Sequence, residues 1–216
     1  MKRLSGLLFV TMFVSFLSAS GTPSQEGQAP VGKKPGTGFW MRVNLGVSPL
    51  AQMTSADDDK ISGAGAAFVL SIGAFLSDRF TLYGEMIGDS IIGPELTSGG
   101  FTYSGDEDMS ATVAGVGIGA GYYLIPRSVF AGVSLSMAQM SMEHRTLGLE
   151  GDTNIGIGVG FQLGKDFRIS RKVLLGIAGH AFLATMKDRG NGPQWYTSAF
   201  GITAALTFAP RGWAAQ

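Results

Sequence analysis

The chain contains no cysteine, no net charge and no long apolar run beyond its first residues. Without cysteine, no disulfide can hold the fold together. Lysine and arginine number 16, as do aspartate and glutamate, so no overall basic field favours nucleic-acid binding. After residue 20, no apolar segment is continuous enough for a clear transmembrane helix, although 45% of the residues are hydrophobic. These absences exclude a disulfide scaffold and argue against a bundle of membrane helices.

The first 37 residues predict two segments that lie outside the folded domain. Residues 1–20 start with Lys2 and Arg3, continue with a short apolar run and end in small residues, which is the pattern of a cleaved secretory signal peptide. Residues 21–37 are rich in Pro, Gly and polar residues, and we interpret them as a flexible periplasmic linker. The folded domain is therefore expected at residues 38–209, followed by a tail at 210–216.

Glycine is abundant, with 33 residues, and its spacing is the main structural signal. In GVGIGAGYYL (115–124), Gly115, Gly117 and Ala120 match the G-x-G-x-x-A pattern of a dinucleotide site. That site requires a tight turn followed by a helix, whereas here glycine continues at every second position to Gly121. Successive side chains of a strand point to opposite faces, so the segment has one apolar face and one of nearly bare backbone. Such spacing would scatter around a helix and leave no packing seam.

The same alternation recurs along the domain and predicts an all-β fold. We expect eight strands, at 39–48, 63–76, 79–92, 109–124, 128–142, 153–165, 172–186 and 195–208. Short connections at one end and mostly longer, polar ones at the other are typical of an eight-stranded antiparallel up-and-down transmembrane β-barrel. A closed sheet of this kind pairs all its backbone polar groups within the protein, as lipid requires.

Charges and aromatic residues agree with this architecture. The longer connections are mainly acidic, the short ones are mainly basic, and the outward apolar stripes are expected to carry no charge. Aromatic residues occur where strands meet connections and fit the girdles of a membrane barrel: Phe39, Phe80, Tyr122, Tyr196 and Phe208.

Three stretches carry a resemblance to a known group of proteins. They are GIGAGYYLIPRSVFAGVSLSMAQ, GIGVGFQLGKDFRISRKVLLGIAGHAFLATMKD and FGITAALTF. With the pattern from Phe39 to Phe208, they resemble the small eight-stranded outer-membrane β-barrels of Gram-negative bacteria, a group that includes the OmpA transmembrane domain and the OmpX-, Ail- and OmpW-type proteins. The resemblance implies an outer-membrane location, contact with outer-membrane lipids and lipopolysaccharide, and help from periplasmic chaperones and the barrel-assembly machinery. The narrower set, outer membrane beta-barrel domain proteins, implies no assigned function.

Several polar residues are predicted to point into the barrel, namely Arg42, Glu85, Asp89, Gln162 and His180. The lumen of an eight-stranded barrel is narrow enough to be filled by side chains, and buried charges must pair. We therefore expect an interior polar network, with Arg42 and Glu85 as partners. The alternative is a gated path for protons or small ions through the same residues. Inward aromatic residues argue against a wide pore.

The acidic connections contain candidate cation or partner contacts: Asp57, Asp58, Asp59, Asp106, Glu107 and Asp108. Clustered carboxylates suit Ca²⁺ or Mg²⁺, but consecutive acids converge poorly on one ion, and solvated charge is the simpler interpretation. We therefore expect no metal site and no cofactor. Phe101 and Tyr103 mark either a recognition patch or residues that fold back on the barrel rim.

We consider three functional hypotheses. The first is a non-enzymatic outer-membrane protein with a structural or surface-interaction role through its acidic loops. The second is a narrow channel for small or hydrophobic molecules, which single-channel conductance would distinguish. The third, a lipid-modifying enzyme, needs a hydroxyl nucleophile beside a base, and neither His144 nor His180 lies in a His-x-Ser pair. Mass spectra of lipid A would test it. No extracellular partner can be named, and nucleic acid is not expected.

Overall fold

Antiparallel strands account for most of the described structure. The computed structural model describes residues 38–105, 107–125, 128–170, 172–189 and 192–209. The predicted signal peptide (1–20), linker (21–37) and tail (210–216) lie outside the described residues. Within the described ranges, no helix is long and apolar enough to cross a membrane. The strands are β1 (Gly38–Ser55), β2 (Lys60–Phe75), β3 (Phe80–Ile92), β4 (Glu95–Ser98), β5 (Phe101–Ser104), β6 (Met109–Ile125), β7 (Val129–His144), β8 (Leu149–Asp152), β9 (Gly156–Arg168), β10 (Val173–Lys187) and β11 (Gln194–Phe208).

Eight of the strands close into a barrel. Their order around the ring is β1, β11, β10, β9, β7, β6, β3 and β2, and β2 pairs again with β1. The first strand is paired on both sides along its length; Asn44, for example, lies opposite Ala205 on β11 and opposite Val69 on β2. The predicted fold, an all-β eight-stranded antiparallel up-and-down barrel, is therefore confirmed.

Side chains that alternate along each strand point alternately to the outer surface and to the lumen of the barrel. Outward side chains such as Ile118, Ile157 and Ile202 are 70%, 62% and 61% exposed, whereas their strand neighbours Gly119, Gly158 and Gly201 are buried. Phe39, Phe80, Tyr122 and Tyr196 are exposed at strand ends, as expected of a girdle, and Phe208 is half-buried. The expectation that the outward stripes carry no charge is wrong near the strand ends. Lys165 extends the outward row of Phe161 and Leu163 on β9, and Glu143 and Lys187 lie at outward positions because β7 and β10 continue beyond their predicted ends.

The first strand is longer than predicted because its alternation changes phase. Lumen-facing residues have even numbers as far as Ser48 and odd numbers from Ala51 onward. The register with both neighbouring strands shifts here, by three residues on β1 for two on each partner, which is a β-bulge containing Pro49. The predicted end at residue 48 is therefore wrong. The strand continues to Ser55, and β2 starts at Lys60 rather than at residue 63.

The connections differ between the two ends of the barrel. At one end, called the turn end, short connections lead from β2 to β3, from β6 to β7 and from β9 to β10. At the other, called the loop end, the connections at 56–59, 93–108, 145–155 and 188–193 include three strands that were not predicted. Of these, β4 and β5 form a hairpin beside β2, and β8 pairs with β7. Gly99 and Gly100, with φ values of 57° and 83°, form the two-residue hairpin turn.

The glycines of the inner face leave room for large lumen side chains. A Cβ added to Gly158 would lie 2.7 Å from the Phe182 ring and 2.9 Å from the Ser136 hydroxyl. A Cβ added to Gly119 would collide with the Tyr83 ring, and one added to Gly121 with the Phe130 ring. The glycine pattern at 115–124 is therefore a packing feature of a narrow barrel rather than a nucleotide site.

Replacing Gly158 by valine should destabilise the barrel, because the new side chain competes with the Phe182 ring for lumen space. We expect a loss of about 1–3 kcal/mol in the free energy of unfolding, measured by urea titration of the protein in detergent micelles. The control is Ala181→Val, which enlarges an outward side chain lying between Phe161 and Phe200. Equal losses for the two variants would contradict the packing role of Gly158.

Candidate functional site

The lumen is filled by three layers of side chains. An aromatic plug at the turn end consists of Trp40, Phe75, Tyr83, Tyr123 and Phe130, with Leu174 and Ala209. An apolar cap toward the loop end contains, among others, Met53, Ile61, Ile91, Met140, Phe182 and Met186. Between them lies a polar belt formed by Arg42, Asn44, Ser48, Ser71, Glu85, Asp89, Ser134, Gln162, Asp166, His180 and Thr207, all of them buried. The five predicted interior residues therefore all lie in one layer.

The aromatic plug closes the lumen below the belt. The Trp40 ring lies 5.2 Å from that of Tyr83 and 5.5 Å from that of Phe130, measured between centroids. Tyr123 completes the cluster at 5.3 Å from Phe130. Aromatic rings at these separations attract one another beyond the area they bury. The plug therefore fills the lumen at the turn end and offers no wide aqueous path.

Arg42 pairs with Asp166 across the lumen. Its Nη1 donates to both carboxylate oxygens of Asp166, at 2.9 and 2.8 Å, and to Thr207 Oγ1 at 3.0 Å. Both charged side chains are fully buried. The guanidinium carbon also lies 4.9 Å from the centroid of the Phe130 ring, which links the ion pair to the aromatic plug.

The expected pairing of Arg42 with Glu85 is wrong. Glu85 instead accepts hydrogen bonds from Ser134, Gln162 and, at 3.2 Å, Ser71. Gln162 is held on its other side by the Asn44 amide, which donates to Gln162 Oε1 at 2.9 Å. Neutral donors thus surround Glu85, while the charge of Arg42 is matched by a residue on β9.

Asp89 and His180 form a second buried pair. The His180 Nε2 lies 3.0 Å from Asp89 Oδ1, and the Ser48 hydroxyl donates to the same oxygen. None of the described serine hydroxyls is hydrogen-bonded to the imidazole, so the group lacks the nucleophile–base contact of a hydrolase. The arrangement orients the imidazole within the lumen. The other histidine, His144, accepts a hydrogen bond from the Leu147 amide within its own loop, at 3.4 Å.

Of the belt residues with an acidic or basic side chain, sequence reasoning missed one, Asp166. We assigned it to a connection, because the predicted strand stopped at residue 165. Continuing the alternation of Gln162 and Gly164 by one step places Asp166 inside, and Arg42 needed a buried acid. The sequence therefore contained the signal for an inward Asp166, but the predicted strand ended one residue too early to include it.

The acidic candidates lie at the loop end, on separate connections. Asp57, Asp58 and Asp59 form the tip of the β1–β2 hairpin, where Ser55 Oγ accepts from the Asp57 and Asp59 amides at 3.2 and 3.1 Å. Asp106 lies outside the described residues. Glu107 is exposed, and Asp108 is half-buried and accepts from the Thr146 hydroxyl. Among the described residues, no group of three or more His, Cys, Asp or Glu side chains is placed to hold a metal ion.

The β4–β5 hairpin was also missed, and it carries the aromatic candidates Phe101 and Tyr103. Ile61, Leu96 and Tyr103 lie opposite one another on β2, β4 and β5. Along this row the side chains change from buried to half-buried to 59% exposed, and Phe101 is 69% exposed. The hairpin therefore extends the inner face above the barrel, and its aromatic residues do not fold back on the rim. The signal for a hairpin was the pair Gly99–Gly100, which lies between two short segments that contain residues favoured in strands.

Known proteins share the fold but little sequence. Neither protein-family models nor curated protein sequences match the chain. The crystal structure of Neisserial surface protein A (NspA) is similar, with a TM-score of 0.55, 14% identity, and coverage of 81% of this chain and 99% of that one. OprG from Pseudomonas aeruginosa has a TM-score of 0.45, 11% identity and coverage of 83% and 99%. Ail from Yersinia pestis, solved with the heparin analogue sucrose octasulfate, has a TM-score of 0.44, 9% identity and coverage of 77% and 98%. The chain therefore has the fold of the small eight-stranded outer-membrane barrels.

Removing the carboxylate of Asp166 should destabilise the barrel strongly, because Arg42 would be left as an uncompensated buried charge. We expect Asp166→Ala to lower the free energy of unfolding by about 3–5 kcal/mol in micelles. The control is Asp152→Ala, which breaks an exposed ion pair with Arg189 and should cost less than about 1 kcal/mol. Similar costs for the two variants would show that the buried pair does not hold the lumen together.

Proposed function

We propose that the protein is a non-enzymatic integral outer-membrane protein whose filled lumen is structural and whose acidic loop end contacts cationic partners at the cell surface. The outward apolar surface supports membrane insertion. Its side chains alternate with buried ones around a closed ring of strands, which leaves no unpaired sheet edge within the barrel. The fold shared with NspA supports the same assignment.

The layered lumen argues for a structural interior rather than a channel. Ions would have to pass the aromatic plug and the apolar cap, and neither of these clusters contains a charged side chain. The polar groups of the plug, the Trp40 indole and the Tyr83 and Tyr123 hydroxyls, already donate hydrogen bonds within the protein. The titratable belt residues are engaged within the lumen: Arg42 with Asp166, Asp89 with His180, and Glu85 with the neutral donors described above. A lumen of this kind joins the strands from within, as side chains do in small barrels.

The charge of the loop end is the observation that carries the surface role. The described acids there are Asp57, Asp58, Asp59, Glu95, Glu107, Asp108, Glu143, Glu150, Asp152 and Asp188, and the described bases are Lys60, Arg145, Lys187 and Arg189. We call the ten acids the acidic crown. An excess of one charge sign attracts partners of the opposite sign and repels a second copy of the same surface. Phe101 and Tyr103 add exposed aromatic rings, whose faces favour cationic groups.

The orientation in the membrane can be tested because the chain has no native cysteine. We expect Asp57→Cys, in the exposed tip of the β1–β2 hairpin, to react with a membrane-impermeant maleimide on intact cells. The matched variant is Ser77→Cys, in an exposed turn at the opposite end, which should react only after the outer membrane is permeabilised. The reverse labelling pattern, or labelling of neither residue in intact cells, would contradict the proposed orientation.

The acidic crown should bind a cationic probe through charge. We expect fluorescent oligolysine to bind the refolded protein in zwitterionic micelles and to dissociate as salt is raised, since the screening length falls from about 10 Å at 0.1 M to about 3 Å at 1 M. The combined substitution of Asp57→Asn, Asp58→Asn, Glu95→Gln and Glu143→Gln should weaken binding severalfold, measured by fluorescence anisotropy.

The control for the crown variant is Asp78→Asn, which changes an exposed acid in a turn at the opposite end. It should bind the probe as the unmodified protein does. Binding that survives neutralisation of the crown, or that falls equally with Asp78→Asn, would remove the support for a cationic partner while leaving the barrel assignment intact.

A further inference from the structure

A cluster of exposed basic side chains lies at one turn of the barrel. Lys165 and Arg168 are near the end of β9, and Lys172 is in the turn that leads to β10. All three are exposed, as are Phe167 and Ile169 between them. We call these five residues the turn patch. None of its three cations forms an ion pair with another described residue.

The strand geometry places the turn patch at the edge of the apolar surface. Lys165 and Phe167 continue the outward row of Phe161 and Leu163, with Leu163 59% and Phe167 53% exposed. The Lys165 ammonium lies 5.4 Å from the centroid of the Phe167 ring. A lysine in this position buries its stem along apolar groups while its charge reaches the polar boundary of the membrane.

The acid within this segment does not neutralise the patch. Asp166 lies between Lys165 and Phe167 in sequence, but the alternation turns it into the lumen. Its side chain is fully buried there and holds Arg42. The same alternation therefore separates two neighbouring charges, with Asp166 inside and Lys165 outside. Arg168 shares the parity of Asp166, but it is exposed because it is the last residue of the strand.

We propose that the turn patch binds the phosphate headgroup of an anionic glycerophospholipid in the membrane leaflet at the turn end. An arginine offers paired donors to phosphate oxygens, and lysines add compact positive charges beside it. Phe167 and Ile169 contact the acyl chains just below the headgroup. This inference rests on the membrane insertion proposed above, but it does not depend on the acidic crown or on any surface partner.

Lipid binding can be tested with the full barrel refolded into micelles and mixed with phosphatidylglycerol or phosphatidylcholine. Native mass spectrometry should show the unmodified protein retaining phosphatidylglycerol in preference to phosphatidylcholine. The combined variant Lys165→Gln, Arg168→Gln and Lys172→Gln should weaken retention of phosphatidylglycerol by roughly tenfold or more, since each basic residue near an anionic headgroup contributes about fivefold.

A matched variant removes the same number of positive charges from the opposite end: Lys60→Gln, Lys187→Gln and Arg189→Gln. It should retain phosphatidylglycerol as the unmodified protein does. Equal losses in both variants, or full retention by the turn-patch variant, would overturn the proposal. Inorganic phosphate added in excess should compete poorly, because it lacks the acyl chains; effective competition would indicate a free-phosphate site instead.

The outcome remains separable from failure of the membrane assignment. Each variant is first checked for its folded, heat-modifiable band on SDS gels after insertion into phosphatidylcholine vesicles. Failure of the unmodified protein to insert would refute the membrane proposal itself. Insertion without selective lipid retention would refute only the turn patch.

Discussion

The constraint on which the structure depends is that a chain in lipid must satisfy every backbone hydrogen-bonding group from within the protein. The ring of eight strands does this by closing β1 against both β2 and β11. Closure then dictates the rest of the design. Every second side chain faces lipid and every other one faces a narrow lumen. Glycines on the inner face leave room there for large side chains, as Gly158 does beside Phe182.

A filled lumen creates a second problem, because charges buried there have little water to solvate them. The chain resolves it by pairing Arg42 with Asp166 and His180 with Asp89, and by surrounding Glu85 with neutral donors. Apolar layers above and below the belt shield these contacts from water. The polar residues therefore join strands that are distant in sequence, and the surface features carry the interactions with other molecules.

The same alternation separates charge on two scales. Within the segment Lys165–Phe167, it places Asp166 inside and Lys165 outside. Across the described part of the barrel, acids outnumber bases at the loop end, whereas at the turn end the exposed bases Arg79, Lys165, Arg168 and Lys172 outnumber the exposed acid Asp78. A neutral chain thus presents an acidic surface to one side and a basic rim to the other. Both proposed interactions, with cationic partners and with anionic lipid, follow from this sidedness.

The sequence by itself determined the eight strands, their inward and outward faces and five of the polar residues in the lumen, since these depend on local alternation of side chains. Local alternation does not show the stagger between strands. That stagger decides which lumen side chains contact each other across the barrel. Only the tertiary structure could therefore replace Glu85 by Asp166 as the partner of Arg42, from 124 positions along the chain. The bulge at Pro49 and the β4–β5 hairpin were also decided there, because each interrupts the repeat from which the strands were predicted and depends on pairing with neighbouring strands.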